Sequence, residues 1–201
     1  MIVLIAPQKD IENETQILDQ LFESGLECYH LRKPYKTAQE YVNFITEIDP
    51  KYRNRIVLHH FHELTNNFDL KGIHFEEEQR RKYIESPTRY FKNLKLFGKT
   101  ISSAFHELND LEHSDFEFDY HFLWSQFPSE TQTTSERKRS DVNGIDKLIF
   151  CVSELDANTI HEIFALGYKG IVVMEDFWQS KEPLENFTNL KTVYDAIITK
   201  P

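Results

Sequence analysis

Eight short apolar runs, most of them followed by a segment of helical spacing, predict an α/β chain whose parallel strands close into a (β/α)₈ TIM barrel. The length of 201 residues fits a single domain spanning 1–201, at the short end of the barrel range of roughly 200 residues and up. The runs are apolar without strict alternation, which suits strands covered on both faces. A doubly wound open sheet ordinarily needs fewer βα units.

The first run, residues 2–6, ends at Pro7, and residues 14–24 place Ile17, Leu18, Leu21 and Phe22 at helical spacing before Gly25 closes the helix. Residues 26–31 read as the second strand. Thr37 can cap a helix carrying Tyr41, Val42, Phe44 and Ile45, and residues 55–59 form the third strand. The middle is less regular. Residues 72–75 make a very short fourth strand, and the charged run 76–82 is a solvated loop or helix. Two strand candidates follow closely, 94–97 and 99–105, and the fifth strand is assigned to 100–104. Residues 119–124 are a sixth, aromatic strand, and the long Ser- and Thr-rich stretch 126–143 reads as a functional or mobile loop. A seventh strand at 147–152, a helix at 157–166 ended by Gly167, an eighth strand at 170–174 and a last helix near 190–198 complete the pattern.

Hydrophobic residues make up 40% of the chain, with sixteen Phe and nine Tyr, enough for a substantial core. A formal net charge of −10 argues against a protein that grips nucleic acid, since phosphate binding needs a positive surface. No apolar run approaches the ~20 residues of a membrane span. Because the chain enters an apolar strand at once, without a basic leader, a cytoplasmic location is expected. Cys28 and Cys151 each sit inside an apolar run with no zinc spacing nearby and are expected as buried thiols. If the chain has a protein partner, a second copy in a homo-oligomer is the one expected. The aromatic stretch 116–127 could be a partner surface, though barrel interior and helix packing account for such a stripe more simply.

Several motifs appear in an order that resembles the thiamine phosphate synthase and thiazole tautomerase family. His30-Leu31-Arg32-Lys33-Pro34 is similar to that family's Gln-x-Arg-x-Lys at the end of strand two. Gly72-Ile73-His74-Phe75 resembles its Gly-Val-His-Leu, the stretch from Ser102 to His106 its Gly-x-Ser-x-His, and Asp119-Tyr120 the Asp-Tyr that opens strand six. The stretch from Gly167 to Met174 is similar to its Gly-Ala-x-Gly-Ile-Ala-Val-Met. The resemblance implies a barrel that holds a thiazole phosphate and a pyrimidine pyrophosphate at the C-terminal ends of its strands. Mg²⁺ would neutralise the pyrophosphate as the pyrimidine is transferred. The tautomerase branch binds a related thiazole phosphate and does acid–base chemistry instead.

Carried onto this chain, the resemblance assigns Arg32 to pyrophosphate, a role suited to a forked guanidinium. Lys33 stands one place early relative to the family Lys, and the two cations read equally as a solvated basic pair. The loop after strand six carries Ser129 and Thr131 as hydroxyls toward substrate, and His106 matches a family position on the substrate side. Period-two alternation puts Cys28, His30 and Arg32 on one face, so His30 faces the ligand if Arg32 does.

His59-His60 stands where the family has Asn-Asp, and Gln79 stands near its second Mg²⁺ carboxylate, with Glu76 to Glu78 close by. Imidazole is a poor exchange for the oxygen ligands Mg²⁺ wants. The Gly-Gly and Ser-Gly phosphate cradles are replaced by Ser153-Glu154 and Glu175-Asp176, and carboxylates repel phosphate. His30, His59, His60, His62, His74 and His106 all fall at or near strand C-terminal ends. The clustering invites acid–base chemistry, with His30 and His59 as candidate catalytic residues, or a transition metal. HHFH is no recognised ligand spacing, so no metal site is assigned, and His74 is read as a structural hydrogen-bonder. The function expected is thiamine phosphate synthase-like transfer, or else a diverged, metal-independent tautomerase-like or ligand-binding barrel.

Overall fold

Parallel strands buried on both faces need a helix to cover the outside and side chains to fill the inside. The computed structural model, which describes residues 1–84, 87–124, 139–152 and 157–199, has this arrangement. The strands are β1 (Ile2–Ile5), β2 (Cys28–Leu31), β3 (Ile56–Leu58), β4 (Gly72–Phe75), β5 (Thr100–Phe105), β6 (Tyr120–Trp124), β7 (Ile149–Val152) and β8 (Gly170–Val173). All pair in parallel and in chain order, and β1 closes the ring by pairing Val3 with both Cys28 of β2 and Val172 of β8. The expected barrel is present, with the strands within a residue or two of their predicted places.

Helices α1 (Glu14–Glu23), α2 (Ala38–Glu47), α3 (Glu77–Tyr83), α4 (Pro87–Phe91), α5 (Leu108–Glu112), α6 (Ala157–Ala165), α7 (Glu175–Trp178) and α8 (Pro183–Ile198) wrap the ring. Short 3₁₀ helices at Pro50–Arg55 and His62–Asn66 flank β3. α1 buries Leu18, Leu21 and Phe22 against the sheet. α2 starts at the expected Thr37, whose Oγ1 accepts from Glu40 N–H at 3.3 Å while Glu40 Oε2 accepts from Thr37 N–H at 2.8 Å, a reciprocal capping box. The charged run after β4 resolves into α3, whose first turn is acidic and last turn basic, as the helix dipole favours. The rival candidate 94–97 forms no strand: Leu94 and Leu96 are partly buried against the helix layer, and the ring is already filled by 100–105.

Two apolar layers result. Between sheet and helices lies a large core that includes Leu4, Tyr29, Leu31, Ile73 and Phe105. Inside the ring lies a second core of Val3, Ile5, Cys28, Val57, Ala104, Tyr120, Phe122, Phe150, Val152 and Val172. Gly170 makes room for the inner core: a Cβ there would stand 2.7 Å from the Phe150 ring and 2.6 Å from the Met1 carbonyl. Phe150 in turn stacks on Tyr120, with centroids 5.3 Å apart.

Both cysteines are free and buried, and burial pushes each thiol up to about 12, so they are inert packing groups as expected. The described part of the aromatic stretch, 116–124, packs rather than standing clear. Phe118 lies against Phe105, Phe116 and His121, while Tyr120 and Phe122 point into the ring. No helix among the described residues is long and apolar enough to cross a membrane.

Candidate functional site at the barrel mouth

Alternation along each strand decides what enters the ring. In β2 it turns Cys28 and His30 inward and brings Arg32 to the rim, and β3 turns in Val57 and then His59. β4 turns in His74 and brings Glu76 to the rim. Three imidazoles from three adjacent strands therefore meet near the C-terminal end, with His30 0%, His59 2% and His74 1% exposed. Their ring centroids lie 4.4 to 5.1 Å apart, and Phe122 packs against His30 and His74 at 4.8 and 4.5 Å.

Burial keeps all three neutral. Desolvation lowers His59 to about 4 against the opposing pull of Glu76, and drives His30 and His74 well below the usual imidazole range. Glu76 is held down to about 2, by the hydrogen bond from His59 and by Arg32, whose Nε donates to its Oε1 at 2.5 Å. An ionised Glu76 fixes the polarity of everything behind it. His59 Nδ1–H donates to Glu76 at 3.4 Å, leaving Nε2 to accept from His30 Nδ1–H at 2.9 Å. His30 Nε2 then accepts from the Tyr120 hydroxyl at 2.9 Å. A directional chain thus runs Tyr120–His30–His59–Glu76 from the barrel interior to the rim. Beside it, Ser102 Oγ donates to the Ile73 carbonyl at 3.4 Å, which leaves it to accept from His74 Nδ1–H at 2.8 Å.

The other sequence candidates lie apart. Arg32 is at the rim with its side chain 25% exposed, where a ligand could reach it. Lys33 is on the opposite face: its ammonium, 1% exposed, bonds Glu14 at 2.6 Å and Asp10 at 3.3 Å beneath the β1–α1 loop. Tyr29 donates to the same Glu14 at 3.0 Å, so the structure gives Lys33 a partner in the outer layer and not at the mouth. His106, largely exposed, pairs with Glu77 at 2.5 Å at the end of β5. Ser129 and Thr131 lie outside the described residues, as do Ser125, Ser153 and Glu154. His60 leaves the ring, as adjacent strand positions must, and packs on Tyr41 and Phe61. His62 is a tie within the helix layer, donating to the His74 carbonyl and accepting from Tyr90.

Sequence reasoning read His74 as a hydrogen-bonder, in line with its bond to Ser102, but did not place it beside His30 and His59 and did not single out Ser102, Glu76 or Tyr120 as their partners. Their signal was the period-two rule carried one strand further: Gly72, His74 and Glu76 share a face just as Cys28, His30 and Arg32 do.

The donor set does not suit Mg²⁺. The nearest carboxylate, Glu76, is engaged by Arg32 and His59, while Gln79 binds back to its own helix start and to the His59 carbonyl. At the end of β8, Glu175 accepts from Gln8 N–H at 3.1 Å, and it and Asp176 open α7 where a phosphate cradle would need positive potential.

No family model matches the sequence, and no curated protein matches it. The fold does match solved structures. The thiamine phosphate pyrophosphorylase (another name for thiamine phosphate synthase) of Bacteroides thetaiotaomicron superposes with a TM-score of 0.70 at 25% identity, covering 97% of each chain. The chain is similar, from end to end, to thiamine phosphate pyrophosphorylases. The Pyrococcus furiosus pyrophosphorylase shares the barrel with a TM-score of 0.76, at 15% identity and 98% and 96% coverage. The 3-hexulose-6-phosphate synthase of Salmonella typhimurium, at 14% identity and a TM-score of 0.65, shares the fold alone over 96% of this chain and 97% of its own. The pyrophosphorylase likeness bears out the resemblance seen in the motifs.

Proposed function

We propose that this chain takes a phosphorylated small molecule at the C-terminal mouth of its barrel. In this reading it is a thiamine phosphate synthase-like transferase, moving a hydroxymethylpyrimidine group from its pyrophosphate to a thiazole phosphate. The observation that carries the reading is Arg32, which stands at the rim of a pyrophosphorylase-like barrel with part of its side chain exposed. A pyrophosphate there would compete with Glu76 for the guanidinium, and Glu76 would keep its bond to His59. His106, Ser129 and Thr131 complete the proposed binding set. With purified protein, both substrates and Mg²⁺, thiamine phosphate should form. Arg32→Ala should lower kcat/KM about 10- to 100-fold, the worth of a charge-assisted hydrogen bond. Absence of product above background rules out transfer.

The Tyr120–His30–His59–Glu76 chain favours a second reading, proton transfer on a thiazole phosphate-like ligand with His30 and His59 as the working groups. Neutral imidazoles in a polar chain pass a proton by exchanging tautomers. Deuterium exchange into thiazole phosphate, followed by NMR, tests it. Exchange that persists unchanged in His30→Ala would exclude His30 from the chemistry.

A further inference from the structure

The three buried histidines have an arrangement that a hydrogen-bond chain alone does not require. Each ring has one nitrogen fixed from outside the cluster: His30 Nε2 by Tyr120, His59 Nδ1 by Glu76 and His74 Nδ1 by Ser102. The nitrogens left over are His30 Nδ1, His59 Nε2 and His74 Nε2. One ligand atom from each ring lies within 4.8 Å of the other two. Metal-bound histidines are typically held in this way, with the far nitrogen tied to a carboxylate, carbonyl or hydroxyl that sets ring angle and tautomer.

We propose that His30, His59 and His74 form a three-histidine site for a first-row divalent transition metal, with Zn²⁺ as the reference ion. Imidazole is the ligand type that selects Zn²⁺, Fe²⁺, Co²⁺ or Ni²⁺ over Mg²⁺. Three protein ligands leave a fourth position for water or a ligand oxygen, the pattern of catalytic rather than structural zinc. Arg32 and Glu76 follow His30 and His74 by two residues, so the rim pair and the three rings share one end of the barrel. A cavity of about 250 Å³, lined by Pro34, Lys36, His60, Gln79 and Tyr90 among others, has His59 in its wall.

Protons balance without loss from the imidazoles. The proton on His30 Nδ1 moves to Nε2, and Tyr120 turns from donor to acceptor, its own hydroxyl free to point toward Cys28 Sγ at 4.0 Å. His59 and His74 already present bare nitrogens. Glu76 supplies a compensating negative charge through His59.

The proposal rests on this geometry and not on the transferase reading, and its test reads metal rather than turnover. Untagged full-length protein, stripped with chelator, is titrated with Zn²⁺ against a chromogenic chelator, and with Co²⁺ by visible absorption. We expect one tight ion per chain and intense Co²⁺ bands of low coordination number. Both should be lost in His74→Ala. Glu76→Gln, which keeps the fold and shape of the site, should weaken binding about 10- to 100-fold. His113→Ala, at an exposed histidine, should change nothing. Circular dichroism separates loss of ligand from loss of fold. Absence of stoichiometric binding by the wild-type chain overturns the proposal, as does unchanged affinity in both folded His74→Ala and Glu76→Gln.

Discussion

Arg32 and Lys33 are adjacent in sequence and opposite in role. Strand alternation sends Arg32 to the mouth and Lys33, with Leu31, to the outer face, where its ammonium meets Glu14. Burial raises Glu14 while Lys33 and Tyr29 hold it down, so the pair is a desolvated one that depends on both members. Lys33→Ala would strand the carboxylate and should cost about 3–5 kcal/mol in denaturant unfolding, with ligand affinity per folded molecule unchanged. Arg32→Ala should do the reverse. His121 gives a second residue-scale expectation. It is buried against Phe105 and Phe118, with Nε2 lacking a partner, and desolvation lowers it to about 4 from an ordinary 6.5. A base whose folded pKa is depressed binds more protons when unfolded. Its contribution is therefore complete above pH 6.5 and lost as pH falls toward 4. His121→Phe should remove a part of the acid sensitivity on the order of 1–3 kcal/mol, read as the difference in unfolding free energy between pH 7 and pH 4.5. An unchanged difference would show that other groups govern acid unfolding.

Elements were legible where local chemistry and tertiary burial agree. The capping box of Thr37 and Glu40 needs only a hydroxyl and a carboxylate three residues apart, and α2 begins where they stand. Thr37→Ala should cost about 1 kcal/mol, measurable as a lowered denaturant midpoint. The strand at 94–97 was a false candidate because Leu94 and Leu96 are apolar for a different reason: they pack partly against the helix layer. The short helices α3 to α5 carry few apolar residues, so periodicity barely registers there. At the mouth, alternation along β2 was enough to face His30 and Arg32 toward the ligand side. What it could not give was depth: whether His74 meets His30 or only a backbone carbonyl depends on strand stagger, which no single strand encodes. The same applies to Tyr120, whose reach across the ring to His30 joins residues 90 apart in sequence.

At the scale of the whole molecule, closure of the ring turns eight weak strands into one site. It also restricts what the interior tolerates. Gly170→Ala would push a methyl into the Met1 carbonyl and the Phe150 ring, and should destabilise the barrel by about 1–3 kcal/mol as overpacking does. With a formal charge of −10 and acidic residues at the β8 end of the mouth, the phosphorylated ligand proposed above would have to find its counter-charge locally, and Arg32 is the rim cation that could supply it. A crystal structure of the protein with inorganic pyrophosphate decides whether Arg32 is an anion-binding residue. The anion should lie at the mouth with its oxygens on the Arg32 guanidinium, and Glu76 should still be bonded to His59. An intact Arg32–Glu76 pair with pyrophosphate bound elsewhere, or not bound at all, would contradict that role.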